Sequence, residues 1–138
     1  MPQFPSREWM DQFCTELVAQ PDANEAAGVL DGVYRFVIEP SGPLADHHAY
    51  DVEIRPDADA TVPRVGLLAG DDAQPRLVLT ATYERWRQLI TGQLDVGMAV
   101  MLRRLKVAGD LSPLIGGLSS TKPLMEALGA VDSQWLPE

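Results

Sequence analysis

The stretch from Arg76 to Asp110 reads RLVLTATYERWRQLITGQLDVGMAVMLRRLKVAGD, and its apolar period changes along the way. Leu77, Leu79 and Ala81 alternate with Val78, Thr80 and Thr82, the pattern of a strand buried on at least one face. From Thr82 the period becomes helical, with Tyr83, Trp86, Leu89 and Ile90 on one side and Glu84, Arg85, Arg87 and Gln88 on the other. The Thr82 hydroxyl can cap this helix, and Gly92 can end it in the left-handed conformation. Asp95 opens a short apolar helix, Val96 to Met101. Leu105 and Val107 then alternate with Arg104, Lys106 and Ala108 in a second strand that stops at Gly109-Asp110. The order is strand, helix, short helix, strand. No nucleophile stands beside a base here, so the stretch is suited to enclosing something rather than reacting with it.

Upstream, Ser6 precedes a helix over about Arg7 to Ala19, with Trp9, Met10, Phe13, Cys14, Leu17 and Val18 as its apolar stripe. Asp22 to Glu25 has capping-box spacing for a short helix reaching Leu30. Val33 to Glu39 reads as a strand, the segment Pro40 to Ala49 as a loop, and Tyr50 to Arg55 as a half-buried strand. Val65 to Ala69 is a further strand. Downstream, Ser112-Pro113 starts a helix weakened by Gly116-Gly117, and Ser120 or Thr121 starts another that Gly129 stops. The expectation is an α+β fold: a five-stranded, mainly antiparallel sheet with helices packed over one face, as one domain across 1–138.

Composition bounds the partners. The chain is 46% hydrophobic and 22% charged, ordinary for a soluble globular protein, and no apolar run reaches the length of a membrane span. The N-terminus lacks a signal peptide, Trp135 to Glu138 is no peroxisomal address, and lone Cys14 cannot form an internal disulfide, so the cytoplasm is expected. The net charge of −9 argues against nucleic acid. Yet 14 of the 20 acidic residues lie in residues 1–72, while Arg85, Arg87, Arg103, Arg104 and Lys106 share their stretch only with Asp95. That local basic patch is either a solvated face or a weak contact for anionic membranes.

Leu89-Ile90-Thr91-Gly92-Gln93-Leu94-Asp95, then Ala99-Val100-Met101, then Leu105-Lys106-Val107-Ala108-Gly109-Asp110 resembles the sterol carrier protein 2 (SCP-2) family. Trp86 fits the same pattern, and Gly32 to Ile38 resembles the family's first strand. Two positions depart from it: Arg103 stands where the family usually has Gly, and Val96 where Pro often follows the acid. The resemblance implies an apolar tunnel between sheet and helices that holds an acyl chain or a sterol.

Other chemistry is sparse. No dinucleotide fingerprint, Walker loop, zinc-protease motif or Cys-x-x-Cys occurs. Gly117-Leu118-Ser119-Ser120 fails as a nucleophile elbow at Thr121, and Asp57 to Thr61 fails as a calcium loop for want of a glycine and a Glu at Leu68. Cys14 sits in an apolar stripe, a core position. No catalytic residue, metal or cofactor is therefore expected. His47-His48 beside Asp46 is the exception to weigh: a small enzyme could use them at the mouth of a cavity, but adjacent side chains diverge in an extended segment. An apolar surplus remains in Trp86, Leu89, Ile90, Met98, Met101, Leu114, Ile115, Leu118, Leu124, Met125 and Leu128. Each alone is simplest as core; with the resemblance, the set is the expected lining of a site for a lipid or other apolar small molecule. A permanently empty cavity of ~300 Å³ would cost ~7 kcal/mol, comparable to a domain's stability, so the site should be filled, collapsed or mobile. Thr121 to Glu138 is expected as a movable cover, hinged at Gly116-Gly117 and Gly129. The competing expectation is an accessory or dimerising SCP-2-like module with a closed pocket, so monomer and homodimer both stay open.

Overall fold

β1 (Gly32–Glu39) is the strand on which the sheet is assembled. It pairs antiparallel with β2 (His48–Arg55) on one side and parallel with β4 (Leu77–Thr82) on the other. β3 (Arg64–Leu67) extends the sheet beyond β2, and β5 (Lys106–Gly109) extends it beyond β4, both antiparallel, giving the order β3-β2-β1-β4-β5. The expectation of a mainly antiparallel, five-stranded α+β fold holds, with β1–β4 as the parallel pair. The computed structural model describes residues 3–20, 23–57, 63–68, 74–94, 96–109, 126–131 and 133–136.

Register decides the two faces of the sheet. Tyr34 sits opposite Val52, Phe36 opposite Tyr50, and Leu77 and Leu79 beside them in β4, so these side chains share one face. α1 (Arg7–Val18) covers that face with Trp9, Met10, Phe13, Cys14 and Leu17, all buried. Ser6 caps α1 as its sequence suggests, its hydroxyl accepting from the Trp9 amide at 3.0 Å. α2 (Ala23–Leu30) follows, and Arg76 donates from Nη1 to the carbonyls of Leu30 (2.8 Å) and Asp31 (3.2 Å), satisfying oxygens that α2 leaves open at its end. On the opposite face, Arg35 in β1 grips Asp51 in β2 through two bonds of 2.7 and 3.1 Å, which explains how a carboxylate is buried there.

Several boundaries differ from expectation: β3 begins at Arg64 rather than Val65, and β5 begins at Lys106, leaving Arg104 and Leu105 outside the strand. His48 and Ala49 lie in β2 rather than in the preceding loop, because pairing with Ile38 and Val37 continues the ladder past Tyr50. Gly129 lies inside the helical residues 126–130 and is not among the glycines with positive φ, so it neither stops that helix nor caps it. The segment from Ser112 to Met125, including Gly116-Gly117, lies outside the described residues.

Candidate functional site

α3 (Tyr83–Ile90) grows directly out of β4, so its apolar side is aimed at the sheet from the first turn. Thr82 caps it, accepting from the Arg85 amide at 3.3 Å, and Gly92 closes it at φ +81, as the sequence indicates. Trp86 is the pivot. Its ring stands 5.8 Å from that of Phe36, and its Nε1 donates to the Val37 carbonyl at 2.9 Å. Trp86 and Leu128 meet there with Phe4, Trp9, Met10, Phe13, Phe36 and Ile38 around a cavity of only about 10 Å³. A void of that size barely admits one water, and among the described residues the polar groups of its walls, Trp9 Nε1 and Trp86 Nε1, donate to Ser133 and Val37 instead. Of the states expected for an apolar site, this interior is in the collapsed one among the described residues.

Leu89 and Ile90, although buried, turn toward a different place. They line a concavity of about 570 Å³ with Gly92, Glu126, Gly129, Val131, Ser133 and Trp135. The chain at 131–136 is stitched down beside it. Trp9 Nε1 donates to Ser133 Oγ at 2.7 Å, the Phe4 amide to the Gln134 carbonyl at 2.9 Å, and the Leu136 amide to Tyr83 Oη at 3.0 Å. The Arg87 guanidinium lies 5.2 Å from the centre of the Trp135 ring. Ala127, Leu128 and Val131 are buried as well. In this structure the described part of the expected cover is packed down through Ala127, Leu128 and Val131, with Gly129 inside the helical residues.

The lining residues expected from sequence divide three ways. Trp86 and Leu128 come together, Leu89 and Ile90 border the neighbouring concavity, and Met98 and Met101 lie outward, 48% and 75% exposed. Leu114, Ile115, Leu118, Leu124 and Met125 lie outside the described residues. Sequence reasoning left out Phe4, Trp9 and Phe13 as neighbours of Trp86. For Trp9 and Phe13 the signal was the stripe of α1, legible as core but silent on which helix it meets; Phe4 precedes that helix and lies outside the stripe.

α4 (Val96–Met101) ends in a Schellman motif. The Arg104 amide donates to the Ala99 carbonyl (2.8 Å) and the Arg103 amide to the Val100 carbonyl (3.1 Å), with Arg103 at φ +60 between them. This left-handed position is where glycine is most at ease, which gives a physical reason for glycine at the same place in the SCP-2 pattern. Here it is occupied by an arginine.

A third concavity, about 790 Å³, lies against Arg7, Arg35, Val37, His47, Ala49, Tyr50 and Asp51, beside Leu67, Leu68 and Val78. His47 is exposed, whereas His48 stacks on Tyr50, its Nδ1 3.4 Å from Tyr50 Oη. Burial raises the Tyr50 phenol above its usual range. No group of three or more His, Cys, Asp or Glu side chains among the described residues could hold a metal. Burial, with Asp11 adding to it, pushes the Cys14 thiol up to about 12, against the opposing effect of a backbone hydrogen bond. No helix among the described residues is long and apolar enough to cross a membrane.

Comparison with known proteins agrees with this architecture. The SCP-2 sterol transfer family matches residues 10–114. Among solved structures, a crystal structure of sterol carrier protein 2 superposes with a TM-score of 0.75 at 17% identity, covering 94% of this chain and 99% of its own. The conserved hypothetical protein TT1886 of Thermus thermophilus gives 0.72 at 16% identity, over 97% and 93% of the two chains. Palmitated SCP2L2 from Aedes aegypti gives 0.52 at 17%, over 87% and 90%. A search of the curated proteins finds no match. At these identities the structures speak for the fold, while the family match covers most of the chain: it belongs to the SCP-2 sterol transfer family.

Proposed function

We propose that this chain is a non-enzymatic carrier for a lipid, a fatty acyl chain or sterol, taken up between the sheet and the helices where Trp86 and Leu128 meet. The observation that carries the reading is the family match over residues 10–114, joined to an interior walled by apolar side chains at that place. A palmitated relative of the same fold supports an acyl chain as one cargo. Leu89, Ile90, Leu114, Ile115, Leu118, Leu124 and Met125 are assigned to the remaining lining. The single buried cysteine suits a reducing cytoplasm.

With the interior near 10 Å³, uptake requires the wall to separate. Ligand hydrocarbon burying ~300 Å² gains ~7–8 kcal/mol, and part of this is spent on that separation, which places affinity in the micromolar range or weaker. The same closure favours a second reading, an accessory or dimerising module that binds no lipid. A titration with a fluorescent fatty acyl probe distinguishes them. Saturable micromolar binding is expected, and Leu128→Asp, at the wall that Trp86 meets, should abolish it because an unpaired carboxylate in an apolar site is strongly disfavoured. Met101→Asp, at an outward position, should spare it. A well-folded wild-type chain that binds no probe would favour the accessory module.

A further inference from the structure

We propose that the turn from Val100 to Lys106 is a docking surface for an anionic bilayer, with Met101 and Leu102 entering the acyl region and Arg103, Arg104 and Lys106 resting on the headgroups. The inference rests on the carrier reading, since a lipid carrier must meet its donor and acceptor, but it concerns a different surface.

Exposure is the first observation. Val100, Met101 and Leu102 are 38%, 75% and 49% exposed, and Met98 beside them is 48% exposed. Together they are the large hydrophobic side chains exposed among the described residues. Contiguous apolar surface of this kind marks a contact rather than a solvated face. Charge is the second. Arg103, Arg104 and Lys106 follow immediately, all exposed, and none of the ion pairs among the described residues engages them. An apolar wedge fringed by cations fits the boundary between headgroups and acyl chains.

The backbone supplies the third. Arg103 occupies the left-handed position of the Schellman motif, where a side chain is strained and glycine is not. A cation kept at a position better suited to glycine points to a role outside the fold. The rest of the charge orients the molecule. With 14 of 20 acidic residues in residues 1–72 and a net charge of −9, an anionic surface repels most of the chain and attracts this turn. A second copy of the chain fits less well. A twofold contact through this patch would bring the cations of both copies together, with like charges facing one another.

Flotation with phosphatidylserine-containing and pure phosphatidylcholine vesicles tests this, with probe binding and melting temperature measured on the same proteins. The wild type should bind the anionic vesicles, weaken as salt rises, and bind neutral vesicles poorly. Arg104→Gln and Lys106→Gln should each lower vesicle affinity about fivefold. The doubly substituted Met101→Ser/Leu102→Ser should lower it ~10-fold or more. Arg103→Gly is the sharpest variant: it should raise the melting temperature while weakening vesicle binding about fivefold. All these variants should retain probe affinity. Loss of probe binding with intact vesicle binding would sink the carrier reading and leave the docking surface standing. Wild-type vesicle affinity in the serine and glutamine variants, or self-association abolished by the same substitutions, would overturn the docking surface.

Discussion

Helices α3 and α4 lie close together in the chain and carry apolar side chains of similar kinds, yet one buries its set and the other displays it. In α3, Tyr83, Trp86, Leu89 and Ile90 are all at most 6% exposed. In α4, Ala99 is fully buried while Met98, Val100 and Met101 face outward. The difference is one of contrast. α3 has eight residues and a polar side to set against its apolar one, so a single orientation satisfies it. α4 has six residues, VGMAVM, with no polar side chain to define a solvent face, and any docking of so short a helix leaves apolar surface exposed. Burial follows from the pattern around a side chain more than from its own hydrophobicity.

The largest effect should come from the α3 side. Trp86→Ala removes a buried ring and the donor to the Val37 carbonyl, and should cost ~3–5 kcal/mol in chemical denaturation. A loss below ~1 kcal/mol would mean that the interior is not packed around this ring. Next comes Gly109→Ala, at the junction of β5 with β4. A Cβ there would lie 2.4 Å from the Arg76 carbonyl oxygen at a φ of +114, so about 2–3 kcal/mol should be lost.

Cys14 reports on the same interior through pH. Its thiol is raised from 9.0 to about 12, so the unfolded chain releases its proton first as pH rises. The stability present below pH 9 should decline between about 9 and about 12, by ~1.4 kcal/mol at pH 10 relative to a Cys14→Ala control. A parallel pH profile in the two proteins would mean that the thiol is not shielded. The smallest effect belongs to α4: Met101→Ser should change stability by less than ~0.5 kcal/mol. A large loss would erase the contrast between the helices.

Much of the fold was legible because it depended on local pattern. Ser6, Thr82 and Gly92 perform the capping their sequence suggests, and the alternation in β1 and β2 assigns the faces correctly. The ladder past Tyr50 was not legible, since His48 and Ala49 carry no strand signature and join β2 only because Ile38 and Val37 lie opposite. The candidate site was legible only in part. Trp86 and Leu128 could be chosen as apolar, but their meeting with Phe4, Trp9 and Phe13 is a long-range event that no periodicity records. Met98 and Met101 looked the same in sequence and lie outward. Arg103 stood out as a departure from the family pattern, and the Schellman geometry shows what the departure costs and why it can be tolerated at a helix end.

The central claim is that the interior between α1, α3 and the sheet opens to hold a lipid. Native mass spectrometry of the purified chain, alone and after incubation with palmitate, tests it most directly. The account predicts a monomer carrying one equivalent of lipid, either retained from the cell or added, with the adduct absent in Leu128→Asp. A ligand-free dimer that takes up no palmitate would contradict it.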